Sequence, residues 1–134
     1  MGQSDFSFAD RRILIVEDDL IIAWQIQASV ESLGCVVSGP VPSVGAALAL
    51  LHNGTVGPDA ALLDVNLQGK TVLPVAQECQ RRNIPFVLIT GYGRLPLDEP
   101  LLNGAVRIRK PFNESDIGNA LSIMGLRAQA SSSD

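Results

Sequence analysis

Apolar residues along this chain alternate between two spacings. Short unbroken runs, Ile13-Leu14-Ile15-Val16, Ala60-Ala61-Leu62-Leu63 and Phe86-Val87-Leu88-Ile89, read as strands buried on both faces. Between them, Ile22, Ile26, Val30 and Leu33 fall at helical spacing, and Gly34 follows as a C-cap. This pattern predicts a strand over 12–16, a helix over 20–33 and a strand over 35–37. Ser43 is the N-cap of a helix through Leu51, and a third strand ends at Asp64. A helix follows over 71–82, and Pro85 opens the fourth strand, where a missing donor is tolerated. The fifth strand covers 105–109, and Asn113 with Asp116 starts a last helix reaching about Leu126.

The punctuation between these elements is equally readable. Gly39-Pro40-Val41-Pro42 reads as a turn, and Asn53 to Pro58 breaks the chain before the third strand. Gly91-Tyr92-Gly93-Arg94-Leu95-Pro96 resists helix formation, so the fourth helix is expected short, late or mobile. Five alternations of strand and helix imply an α/β fold with a parallel, doubly wound sheet and right-handed crossovers. One domain is expected over 11–127, with a flexible N-terminal arm over 1–10 and a disordered Ser-rich tail over 128–134.

Composition narrows the function. The chain has 134 residues, suited to one core, and 46% of them are hydrophobic. A net charge of −4 argues against a nucleic-acid surface, which needs a basic patch. No apolar run is long enough to cross a bilayer, and Gln3-Ser4-Asp5 breaks any signal-peptide core. Cys35 and Cys79 form no metal or redox spacing and read as reduced, buried thiols. A soluble cytoplasmic protein is expected, with no membrane and no nucleic-acid partner.

The chemistry concentrates at strand ends. Glu17-Asp18-Asp19 follows the first strand, Asp64 ends the third, Thr90 the fourth, and Lys110-Pro111 the fifth. In open α/β sheets these ends face the ligand crevice. Glu17, Asp18 and Asp64 converge only if the first and third strands are neighbours, as in the flavodoxin-like order 2-1-3-4-5. Three carboxylates so close repel one another, and Mg²⁺ relieves that repulsion with oxygen ligands. Thr90 and Lys110 offer a hydroxyl and a positive charge to phosphoryl oxygens. Pro111 could hold a cis bond. His52 suits a helix C-terminus, and Trp24 an exposed helix face.

These motifs, Ile13 to Asp19, Leu62-Leu63-Asp64-Val65-Asn66-Leu67, Ile89-Thr90-Gly91 and Lys110-Pro111-Phe112, resemble the receiver domain of two-component response regulators. The resemblance covers Arg11 to Leu126. It implies a phosphoacceptor on Asp64 with intrinsic phosphotransfer and autodephosphorylation chemistry, not an enzyme. Mg²⁺ would be held by Glu17, Asp18, Asp64 and the backbone carbonyl of Asn66, with Thr90 and Lys110 on the phosphoryl oxygens. The donor would be a histidine kinase or a phosphotransfer protein, and the chain a monomer or weak dimer. Helix 1, with Trp24, is the surface through which receivers usually meet the kinase.

Two features depart from the common pattern. Arg107 stands three residues before Lys110, where the switch aromatic is usual. Pro85-Phe86 with Thr90-Gly91-Tyr92 resembles the FATGUY subgroup, mostly stand-alone receivers of alphaproteobacteria. Several of these act around stress-response phosphorelays with kinases of the HWE or HisKA2 type. That resemblance implies a single-domain regulator that signals by protein–protein interaction or acts as a phosphate sink. Its switch would run through Thr90, Tyr92 and Arg107, with Tyr92 shielding the phosphoryl from water. Two other functions compete. A haloacid dehalogenase-like phosphatase would need a second Asp where Asn66 stands, and a cap domain. A phosphorylation-independent adaptor would not need the intact Glu17, Asp18, Asp64, Thr90 and Lys110 set.

Overall fold

The computed structural model describes residues 8–54, 57–91 and 99–123. Five strands, β1 (Arg12–Val16), β2 (Val36–Val41), β3 (Ala60–Asp64), β6 (Phe86–Thr90) and β7 (Val106–Arg109), form one sheet in the order β2-β1-β3-β6-β7. Every pairing in it is parallel. This is the doubly wound, flavodoxin-like arrangement, with the strand order reversing beside β1. The two-residue strands β4 (Asn66–Leu67) and β5 (Lys70–Thr71) lie outside the sheet as an antiparallel hairpin.

The strands alternate between two cores because successive side chains point to opposite faces. Ile13, Ile15, Leu62, Val87, Ile89 and Ile108 pack on one face against α1 (Leu20–Ser32) and α5 (Glu114–Ile123). Leu14, Val16, Leu63 and Leu88 pack on the other against α2 (Val44–Asn53), α3 (Leu73–Arg81) and α4 (Pro100–Asn103). All five residues of β3 are buried, so the central strand carries Asp64 inward at its end.

Local signals set the helix ends. Ser43 accepts a hydrogen bond from the Ala46 amide, as an N-cap should. Asn113 and Asp116 cap each other reciprocally at 2.9 Å. Gly34 takes φ +94° just past α1, a backbone state that disfavours other residues. The fourth helix is short, a single turn over Pro100–Asn103. Both cysteines are buried and unpaired, and burial pushes Cys79 up to about 12.

Four expectations need correction. The turn expected at 39–42 is mostly strand, since β2 continues to Val41 through a cis Gly39-Pro40 bond. The sheet edge tolerates that proline, and the register shifts between Leu14 and Val16 to take it in. Helix α3 starts at Leu73 instead of Thr71, because Thr71 pairs back with Asn66 in the hairpin. The N-terminal arm is not loose throughout: Phe8 is buried in the core and the Asp10 amide donates to the Gly34 carbonyl at 3.0 Å. His52 does more than end its helix, since its Nε2 lies 3.4 Å from Glu78 of α3. Residues 1–7, the tail and Tyr92 lie outside the described residues.

Candidate functional site

Strands β1 and β3 are direct neighbours, with Val16 opposite Leu63. Glu17 and Asp64 therefore leave the sheet side by side, and both are buried. Asp18 joins them half-buried, and one carboxylate oxygen from each of the three lies within 4.8 Å of the others. Lys110 reaches in from the end of β7, its Nζ 3.3 Å from Glu17 Oε1 and 3.8 Å from Asp64 Oδ1. The Lys110-Pro111 bond is cis.

One cation does not balance three carboxylates. Burial pushes the Asp64 carboxyl up to about 8, and the Glu17 carboxylate beside it adds to the rise. The Lys110 ammonium and the Asn66 amide, which donates to Asp64 Oδ1 at 3.3 Å, pull the other way. Glu17 Oε1 is buried without a hydrogen bond, although the Lys110 ammonium lies 3.3 Å away. A buried, undonated carboxylate oxygen facing two further carboxylates fits a hard divalent cation with oxygen ligands. Glu17, Asp18 and Asp64 are the side chains that would hold it.

The second half of the site is arranged differently. Thr90 ends β6, and its hydroxyl donates to the Ile108 carbonyl on β7 at 3.4 Å. The Lys110 amide donates to the Thr90 carbonyl at 2.7 Å, so the two residues are tied through the backbone. Arg107 does not occupy a buried position. Its guanidinium is exposed and donates to the Asn103 carbonyl at the end of α4, at 2.6 Å.

Two contributors were not foreseen from sequence. Asp19 stands outside the cluster as the N-cap of α1, accepting from the Ile21 and Ile22 amides. The Gln68 amide, fifty positions away in the chain, donates to Asp18 Oδ2 at 3.0 Å. The signal for the latter was Gln68-Gly69, a polar-glycine pair able to turn a hairpin.

No family model matches the chain, and no curated protein matches it. Solved structures do. SdrG from Sphingomonas melonis Fr1 is 36% identical, with 88% of this chain and 98% of that one covered and a TM-score of 0.74. Its BeF3-activated conformation, recorded from Pseudomonas melonis Fr1, is 35% identical over 85% and 95%, with a TM-score of 0.68. The response regulator PhyR from Brucella abortus is 30% identical over 93% of this chain and 51% of its own, with a TM-score of 0.73. A response regulator receiver protein from Sinorhizobium medicae WSM419 shares the fold, with 23% identity, 88% and 96% covered and a TM-score of 0.75.

This chain is a response-regulator receiver domain.

Helix α1 carries exposed apolar side chains. Leu20, Ile21 and Trp24 are exposed at 83%, 69% and 73% and lie within about one turn of α1. On the other side of α1, a groove of about 640 Å³ runs beside Ile22, Gly91, Lys110 and Phe112. No helix among the described residues is long and apolar enough to cross a membrane.

Proposed function

We propose that this receiver domain accepts a phosphoryl group on Asp64 from a phosphohistidine of a histidine kinase or phosphotransfer protein. An Asp64 carboxylate oxygen forms the new P–O bond while the P–N bond to imidazole breaks, its electron pair leaving with the ring nitrogen. The transferred group is loosely bound and charge-rich at that moment, so placement and positive charge matter more than a base. Mg²⁺, held by Glu17, Asp18, Asp64 and the Asn66 carbonyl, would neutralise phosphoryl charge. Lys110 supplies the protein's own positive charge, and Thr90 turns its hydroxyl from Ile108 to a phosphoryl oxygen. The observation that carries this reading is the buried Asp64 with two carboxylates within 4.8 Å and an ammonium at 3.8 Å.

The finer reading is a stand-alone FATGUY-type regulator in the cytoplasm, with a kinase of the HWE or HisKA2 type as donor. It signals by protein–protein contact or drains phosphoryl groups as a sink, as a monomer or weak dimer. Its switch runs through Thr90, Tyr92 and Arg107, and Tyr92 slows hydrolysis of the aspartyl phosphate. What supports a switch without the usual aromatic on the fifth strand is Arg107 itself, exposed and bonded to α4.

The test is incubation with Mg²⁺ and acetyl phosphate, followed by intact mass. A single phosphoryl adduct in the wild type, absent in Asp64→Asn, is expected. Absence of any adduct would favour the phosphorylation-independent adaptor.

A further inference from the structure

The β4–β5 hairpin touches both acidic strand ends. Its first residue, Asn66, gives its amide to Asp64 Oδ1 at 3.3 Å, and its turn gives the Gln68 amide to Asp18 Oδ2 at 3.0 Å. The turn is held in an uncommon state. Gln68 and Gly69 have φ of +55° and +83°, the two positive values a tight hairpin turn needs. The Asn66 side chain clamps it from inside, its Oδ1 accepting from the Gly69 amide at 2.9 Å. The base is equally fixed: Leu67 and Val72 are buried, and the Val72 amide donates to the Val65 carbonyl at 3.0 Å. A backbone donor is thus carried on a braced arm to a carboxylate that only half-buries itself.

Resting on the cation-binding reading above, we infer that the β4–β5 hairpin is a positioning element for the cation, its Gln68 amide fixing the Asp18 carboxylate. An Asp side chain that is half in solvent samples several rotamers. The amide at Oδ2 selects one and leaves Oδ1 for the cation. It also eases the repulsion of Asp18 by Glu17 and Asp64 before any cation arrives. Partners that orient a ligand in this way are commonly worth about 10–100-fold in metal affinity. The Gln68 side chain has no part in it, because the contact is made by backbone.

The inference separates three variants by sign. Gly69→Val puts a β-branched side chain at φ +83°, where its Cβ would meet nothing within 4 Å, so the change acts through the backbone alone. Calorimetric titration with Mg²⁺ should find its affinity about tenfold weaker than wild type. Gln68→Ala keeps the amide and should bind Mg²⁺ as wild type does. Gln68→Gly keeps the amide and relaxes the turn, and should bind as well or better. The Gln68 amide should also exchange with solvent more slowly in metal-free wild type than in Gly69→Val or Asp18→Ala. If Gly69→Val does not fold, Gly69→Ala carries the same readouts with milder strain. Wild-type affinity in Gly69→Val, or lost affinity in Gln68→Ala, overturns the inference while leaving the cation site standing. A wild type that binds no Mg²⁺ overturns the cation reading and this inference with it.

Discussion

The ends of β1 and β3 and the ends of β6 and β7 are held in opposite ways. Glu17 and Asp64 sit at 2% and 5% exposure under a hairpin that binds both acidic strands, and their positions follow from adjacent strands in fixed register. Beyond β6 and β7 the covering helix is one turn long, and an exposed guanidinium rather than a buried ring connects strand to helix. The first half is braced by burial and by backbone amides that donate to Asp64 and Asp18. Among the described residues, α4 is docked through Leu102, which is fully buried.

The contrast can be attacked from the acidic side first. Lys110→Ala removes the ammonium from Glu17 and Asp64. Phosphorylation of Asp64 by acetyl phosphate should slow by about 10²-fold or more, followed as adduct formation over time. An unchanged rate would mean the positive charge comes from elsewhere. The thin half has its own anchor in Leu102, which is fully buried. Leu102→Ala should cost about 2–5 kcal/mol in urea unfolding, and a much smaller loss would mean α4 is barely docked.

A smaller effect comes from protons. Asp64 keeps its proton in the fold where the unfolded chain has lost it, up to about 8. A raised folded value stabilises at low pH, and that contribution fades as pH rises toward about 8. Mg²⁺ needs the ionised carboxylate, so its affinity runs the other way. The rise in melting temperature given by Mg²⁺ should therefore be larger at about pH 8.5 than at about pH 6. A rise independent of pH would place the cation away from Asp64. Arg107→Ala should be mildest for stability, about 0.5–1 kcal/mol, since its bond is exposed. Its sharper readout is hydrogen exchange over 99–104, which should quicken in the variant before phosphorylation.

Much of the acidic half could be read from sequence, because each part sits at the end of an apolar run. Val16 leads to Glu17 and Leu63 to Asp64, and strand alternation did the rest. Ser43, Asn113 and Asp116 were legible for a similar reason, since capping is local chemistry. Contacts that depend on what lies alongside were not. Pro40 looked like a turn because nothing local says that it stands on a sheet edge. The hairpin's strands are two residues each, too short for any period to show. Arg107 was recognised as a departure, but its hold on the Asn103 carbonyl is a matter of where α4 ends.

Phe8 carries a practical consequence. It is buried in the same core cluster as residues of the sheet, α1 and α5, and Ala9 lies against Gly34, whose missing Cβ would stand 3.5 Å from the Ala9 Cα. The first strand is therefore not the first structural residue of the domain. Anyone trimming the chain at Arg11, or joining a tag or a second protein there, would cut out a core aromatic along with the tether. A fusion boundary placed ahead of Phe8 keeps the plug in its socket and leaves the acidic crevice at the strands' far ends untouched.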